Sequence, residues 1–236
     1  VCGIPQFDGY TDKTLLLGRE EFMRRMGLDP GKKLITYATG TPQLSTSEPE
    51  IVDVLYRCIA ERRFSYPCQL LIRLHPRRSF IDFKSFKDKP DVVVQQPGDA
   101  SREFSASGYF WDIGRINTAL LANTLAHSDV LVNVASTVTI EGCIFDTPVV
   151  NVAFDGYTLK PYWESVRRFF DYTHYRRILD AEGVRVAHNK EELVEHIDAY
   201  LKDPFLDADG RRRIVAEQCF TAVSYTHLRA HETGRN

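Results

Sequence analysis

Short apolar runs alternate with stretches of helical periodicity along most of this chain. The apolar runs predict strands at Lys33–Thr39, Gln69–Leu74, Val92–Gln95, Val130–Val132, Val149–Val152 and Val184–Ala187. Between them, apolar residues recur at three- and four-residue spacing, which predicts amphipathic helices. Strands that are apolar throughout are typical of a parallel sheet covered on both faces. The pattern therefore predicts an α/β fold, a doubly wound parallel sheet of Rossmann-like type.

The stretch 126–153 carries the clearest chemistry, because it reads as strand, tight turn, helix, turn and strand. Ser136 and Thr137 follow the first of these strands and open the helix, where their hydroxyls suit helix capping. Glu141 lies one turn into the helix, where its carboxylate could accept the hydroxyls of a ribose. Free amides at a helix start bind anions, so this segment is interpreted as a nucleoside diphosphate site. Simple capping by the two hydroxyls is the alternative.

Further polar groups lie at the carboxyl ends of other predicted strands. They are Thr39, Gly40 and Thr41 at the end of the first strand, Arg73 and His75 at the end of the second, and Asp155 beyond the fifth. Ligands of open parallel sheets bind outside these strand ends, so we expect the groups to share one crevice. Alternatively, the residues after the first strand form a plain turn, and Asp155 makes an Asx turn before Gly156. A second capping signal, Ser47 with Glu50, predicts the start of a helix.

Composition narrows the classes of function. The formal net charge is −2, which argues against a basic nucleic-acid-binding surface, and no apolar run is long enough to span a membrane. The five cysteines are scattered without metal-ligand spacing, which indicates a reducing compartment. His227 and His231 could share a helix face but lack supporting carboxylates, so no metal site and no bound cofactor are expected.

Two motifs resemble a known enzyme family. The segment SDVLVNVASTVTIEG, with Pro148 seven positions after Glu141, resembles the donor-binding segment of GT-B glycosyltransferases, and especially the CDP-glycerol glycerophosphotransferase and capsule-polysaccharide transferase group. RLHP, which contains His75, resembles the His-Pro motif of glycerophosphotransferases and several bacterial sialyltransferases. The chain departs from the group at Asp146, where many members have Gly, and at Gly142, where Ala is common.

The resemblance implies a role for several residues. Glu141 would bind the donor ribose, while His75, Ser136 and Thr137 would bind the donor diphosphate by hydrogen bonds and helix dipole without a metal. The chain would be the donor-binding, C-terminal half of a transferase, located in the cytoplasm or at the inner face of the cell membrane. Its donor would be a nucleotide-activated sugar or polyol phosphate and its acceptor a cell-envelope glycan. The catalytic base would come from a missing N-terminal domain, so the fragment would turn over little.

Two alternatives remain open at this point. One is an enzyme similar to UDP-N-acetylglucosamine 2-epimerase, which shares the two-domain layout. The other is a non-catalytic nucleotide-sugar-binding domain in polysaccharide assembly. Fold analogy alone does not choose among them.

The chain is predicted to divide into three parts. Residues 1–18 are expected to be an interdomain linker and lead-in, residues 19–221 the nucleotide-donor-binding domain, and residues 222–236 a non-native tail that resembles translated adapter read-through. Tyr109, Phe110 and Trp111 either stack on a base or anchor a loop. The aromatic and basic stretch 157–175 is expected to border the interdomain cleft. As an alternative, its Tyr162, Trp163, Phe169 and Phe170 make a peripheral membrane contact.

Overall fold

A computed structural model of the chain describes Phe7, Tyr10 and residues 16–43, 45–97 and 115–219. Its strands are β1 (Lys33–Ala38), β2 (Cys68–Arg73), β3 (Val92–Gln95), β4 (Val130–Asn133), β5 (Val149–Val152) and β6 (Arg185–Ala187). Its α-helices are α1 (Arg19–Arg25), α2 (Glu48–Ala60), α3 (Arg115–His127), α4 (Val138–Ile144), α5 (Thr173–Asp180), α6 (Lys190–Lys202) and α7 (Ala208–Gln218). Two 3₁₀ helices span Phe80–Phe86 and Val166–Asp171.

The six strands form one parallel sheet in the order β3-β2-β1-β4-β5-β6. The chain builds outward from β1 to one edge, returns to the centre at β4, and builds outward to the other edge. The strand order therefore reverses between β1 and β4, which creates a crevice at the carboxyl ends of these central strands. This confirms the predicted Rossmann-like α/β fold.

Helices cover both faces of the sheet. One apolar cluster joins α2 and α6 to the sheet through Ile51, Leu55 and Ile197, all fully buried. A second cluster on the opposite face includes Leu125 of α3 and Ile214 of α7. Because β1, β2, β4 and β5 are covered on both faces, their residues are almost all buried, which explains why the sequence shows no polar alternation.

Helix α4 packs unusually close to the sheet. A Cβ atom added at Gly142 would lie 2.7 Å from Leu131 Cδ2 and 3.2 Å from Val149 Cγ2. The missing side chain thus lets the helix that carries Glu141 settle onto β4 and β5. The helix ends at Ile144, and two residues later Asp146 has a φ of 55°, in the left-handed region that favours glycine.

Several local predictions need correction. The predicted cap residues Ser47 and Thr137 both have right-handed helical dihedrals and make no side-chain cap hydrogen bond, because a capping side chain requires an extended backbone. The two 3₁₀ helices and α5 were not predicted from the sequence. The aromatic residues 109–111, the tail and most of the predicted linker lie outside the described residues.

Candidate functional site

A cavity of about 270 Å³ lies at the carboxyl ends of β1, β2 and β4. Its lining includes six residues that the sequence pointed to, namely Thr39, Arg73, His75, Ser136, Thr137 and Glu141. It also includes Tyr10, Asn117 and Thr118, which the sequence had not suggested. Parallel register explains this convergence, because Ala38 pairs with Arg73 on one side and with Asn133 on the other, so the segments that follow all emerge at one edge.

His75 is held in a defined orientation at this edge. Its backbone N–H donates to Thr39 Oγ1 over 2.8 Å, and its ring Nδ1 accepts from the Arg77 backbone N–H over 3.1 Å. An accepting Nδ1 places the proton of the neutral ring on Nε2. Burial lowers the pKa of His75, with further lowering by Arg77 and Arg78. At neutral pH the ring is therefore uncharged, with Nε2–H as its hydrogen-bond donor.

Arg73 and Glu141 are two nearly buried ionisable side chains in the lining of the cavity. Arg73 is 7% exposed, donates to Gln95 Oε1, and has its pKa lowered by burial to about 10, so it remains cationic at neutral pH. Glu141 is 9% exposed, and burial raises its pKa. The hydrogen bond from Tyr10 and the charge of Arg73 oppose that rise. A buried carboxylate that keeps lone pairs for another donor is suited to bind hydroxyl groups.

Tyr10 is one of the lining residues that the sequence argument missed, and it contacts Glu141 directly. Its hydroxyl donates to Glu141 Oε1 over 2.8 Å, across 131 positions of chain. The residue lies in a Gly- and Pro-punctuated stretch that was read as a plain connector. No local pattern signals the contact, because it exists only when the start of the chain folds back onto α4.

The turn before α4 is supported by a buried polar network. The Tyr175 hydroxyl donates to Asn151 Oδ1 over 2.8 Å, lies 3.0 Å from Thr139 Oγ1, and hydrogen-bonds the backbone of Ser136. Thr139 also bonds the side chain of Asn133. These contacts fix the position of Ser136 relative to the ends of β4 and β5.

The start of α4 offers fewer backbone donors than predicted. The N–H of Thr139 bonds the Ser136 carbonyl over 3.1 Å, and the N–H groups of Ile140 and Glu141 bond the Thr137 carbonyl over 2.9 and 3.2 Å. The helix is also short. An anion at this edge would therefore rely on side chains, and on those of His75 and Thr39 in particular, more than on free amides.

Three predicted site residues do not line the cavity. The Gly40 N–H donates over 2.7 Å to Glu48 Oε1, a buried carboxylate that is also paired with Arg78. The carbonyl of Thr41 accepts from the Ser45 N–H in the same turn. Asp155 is 3% exposed and accepts from the backbone N–H groups of Val166 and Lys160 over 2.9 and 3.3 Å. Gly40 and Asp155 thus hold loops in place. The backbone donors to Asp155 lie five and eleven residues further along the chain, so its bonds are not those of an Asx turn.

The aromatic stretch after β5 is divided between surface and core. Tyr162 and Trp163 are exposed, but Phe169 is buried and Phe170 is half-buried, so the four residues of the predicted membrane contact do not share an exposed surface. Within the described ranges, no helix is long and apolar enough to cross a membrane. Nor do three His, Cys, Asp or Glu side chains there come together in an arrangement that could hold a metal ion.

Solved structures share this fold at low sequence identity. The chain matches the glycosyltransferase WaaG of lipopolysaccharide biosynthesis with a TM-score of 0.52 and 15% identity over 94% of this chain and 51% of that one. It matches a wall teichoic acid polymerase, TagF, soaked with CDPG, with a TM-score of 0.53 and 16% identity over 92% and 44% of the two chains. It matches the UDP-GlcNAc 2-epimerase of Methanocaldococcus jannaschii in complex with UDP-GlcNAc and UDP, with a TM-score of 0.50 and 14% identity. This match covers 92% of this chain and 53% of the epimerase chain.

These likenesses establish the fold, that of one Rossmann-like half of a GT-B protein. The chain spans about half the length of each of the three structures. No protein-family model matches the chain, and no curated protein matches it in sequence.

Proposed function

We propose that this chain binds the nucleotide-activated donor of a glycosyl- or glycerophosphotransferase, in the cavity at the ends of β1, β2 and β4. The observation that carries the proposal is the convergence of Arg73, His75 and Glu141 on one cavity, at the point where the strand order reverses. The fold is shared with WaaG and TagF, whose names describe a glycosyltransferase and a polymerase of envelope polymers. An envelope glycan is accordingly the acceptor that we propose.

The geometry suits a ribose next to a diphosphate. Glu141 provides a buried acceptor for ribose hydroxyls, and the neutral His75 ring provides a donor for a phosphate oxygen. The hydroxyls of Thr39 and Ser136 line the same cavity. Prepositioned donors of this kind stabilise charge as it develops on a leaving diphosphate, because they need little reorganisation during the reaction. The catalytic base is proposed to lie in another domain, so the chain alone should bind the donor without transferring it.

The proposal is tested by calorimetric titration of the chain with CMP, CDP, UDP and UDP-GlcNAc. We expect a diphosphate to bind better than the corresponding monophosphate. His75→Ala and Glu141→Ala should each weaken binding by about 1–3 kcal/mol, the cost of leaving a buried hydrogen-bonding group without its partner. The nucleotide that binds best identifies the base of the donor.

Matched controls separate loss of the site from loss of the fold. His188→Ala and Glu164→Ala remove the same kinds of side chain from positions outside the cavity and should leave affinity unchanged. Circular dichroism should show that all four variants remain folded. Equal binding by the two site variants and the wild-type protein would contradict the proposal.

The structural match to an epimerase supports a second candidate, a domain of a UDP-GlcNAc 2-epimerase. Both candidates bind a nucleotide diphosphate, so affinity for UDP does not separate them. The proton NMR spectrum of UDP-GlcNAc incubated with a longer protein that contains this chain would do so. Appearance of a C2-inverted sugar would favour the epimerase, whereas consumption of donor only when a glycan acceptor is added would favour the transferase.

A further inference from the structure

We propose that Tyr10 is a positioning residue of the donor site, whose hydroxyl holds one oxygen of the Glu141 carboxylate so that the other oxygen faces the bound ribose. This inference rests on the proposed function of the cavity. It adds to the donor site a residue that precedes residue 19, where the sequence analysis placed the start of the Rossmann-like domain. Tyr10, which the sequence had assigned to a linker, would then be part of the donor site.

The first support is the contact itself. The Tyr10 hydroxyl donates to Glu141 Oε1 over 2.8 Å, a normal length for a hydrogen bond to a carboxylate, and both side chains line the cavity. An ionised carboxylate has about four lone-pair positions, so one tyrosine occupies only a fraction of its accepting capacity. The donor can therefore bind Glu141 while Tyr10 remains in place.

The second support is the way the tyrosine ring is anchored. The ring packs edge-on against Phe145, with centroids 5.3 Å apart and an interplanar angle of 73°. Phe145 is the residue at the C-terminal end of α4, the helix that carries Glu141. On its other side the ring lies near Phe7, which is 2% exposed, with centroids 6.5 Å apart. The Tyr10 ring therefore packs on the same helix that carries the Glu141 carboxylate. This packing holds the Tyr10 hydroxyl at a fixed distance from Glu141.

The third support is the energetic state of the carboxylate. Burial of Glu141 favours its neutral form, whereas the hydrogen bond from Tyr10 and the charge of Arg73 favour the ionised form. Arg73 hydrogen-bonds Gln95, whereas Tyr10 hydrogen-bonds the carboxylate itself. The Tyr10 bond thus opposes part of the rise in the pKa of Glu141 and also fixes the orientation of the carboxyl group that would meet the ribose hydroxyls.

The test uses Tyr10→Phe, which keeps the ring and its packing on Phe145 and removes only the hydroxyl. In the free protein, the carboxyl carbon of Glu141 should titrate at a higher pH in the variant than in the wild type, as followed by ¹³C NMR. The affinity for the nucleotide that binds best should fall about tenfold, the loss expected for one such hydrogen bond. The loss of binding on acidification should also begin at a higher pH.

A double-mutant cycle shows whether Tyr10 acts through Glu141. In a Glu141→Ala background, Tyr10→Phe should have no further effect on affinity. An unchanged Glu141 titration in Tyr10→Phe would overturn the inference, and so would unchanged nucleotide affinity with an unchanged pH profile. Failure of the wild-type protein to bind any nucleotide would instead count against the proposed function, while the NMR titration would still report on the contact.

Discussion

Arg211 donates from Nε to the Asp146 carboxylate over 2.7 Å, and this bond joins α7 to the end of α4. The arginine side chain is fully buried, whereas that of Asp146 is 48% exposed. Two further donors of Arg211 reach the carbonyls of Leu206 and Pro204 over 2.6 and 2.8 Å. The backbone at Asp146 is left-handed, with a φ of 55°, a conformation that glycine adopts most readily. Aspartate is tolerated there, and its side chain also binds the buried arginine.

Arg211→Met should destabilise the fold. The variant leaves the two carbonyls of Leu206 and Pro204 without a donor, and we expect the free energy of unfolding to fall by about 2–4 kcal/mol. Most of this loss should come from the carbonyls, because the half-exposed Asp146 can be solvated by water. Urea denaturation measures the change. Arg212→Met, at a side chain that is 69% exposed, serves as the control and should shift stability by no more than about 0.5 kcal/mol.

Gly142→Ala should destabilise the protein although alanine is a better helix former. The added methyl group would lie 2.7 Å from Leu131 Cδ2, so either α4 or the leucine must move. Overpacking of this kind costs about 1–3 kcal/mol. Gly40→Ala is a suitable control, since its Cβ would meet its nearest neighbour, Glu48 Oε1, at an ordinary 3.7 Å. Equal stability of the two variants would show that α4 does not need this close approach.

Glu141→Gln should stabilise the protein at neutral pH while it weakens nucleotide binding. Burial raises the folded-state pKa of Glu141, so its favourable contribution is present below the unfolded pKa and is lost as pH rises through the folded pKa. A glutamine does not titrate and avoids the cost of burying a charge. The melting temperature of Glu141→Gln relative to wild type should therefore increase from about pH 4 to pH 7. The exposed Glu164→Gln should show no such pH-dependent difference.

Tyr175→Phe should weaken the support of the site. The hydroxyl that bonds Asn151, Thr139 and the backbone of Ser136 is removed from a buried network, at a cost of about 1–3 kcal/mol in stability. Because Ser136 would be held less firmly, nucleotide affinity should also fall. Thermal unfolding and calorimetric titration measure the two effects. Tyr172→Phe, at an exposed side chain, should change neither.

The amino-acid sequence by itself determined the fold class and all six strands of the described sheet. Short, wholly apolar segments alternate with segments of helical periodicity. This pattern predicts a parallel sheet that is covered by helices on both faces. The sequence also singled out six residues of the cavity, because polar residues directly after parallel strands must emerge at one edge of the sheet. His75 and Glu141 could be found in this way.

Only the tertiary structure decided which of the candidates share the cavity. Asp155 and Gly40 follow strands just as His75 does, yet packing turns them toward Val166 and Glu48, where they hold backbone in place. The sequence could not show which of these residues line the cavity, because the orientation of a polar side chain after a strand depends on the residues that pack around it in the folded protein. Tyr10 shows the same limit more strongly. Its bond to Glu141 joins positions 131 apart, and such a contact depends on the folded path of the chain and leaves no local pattern.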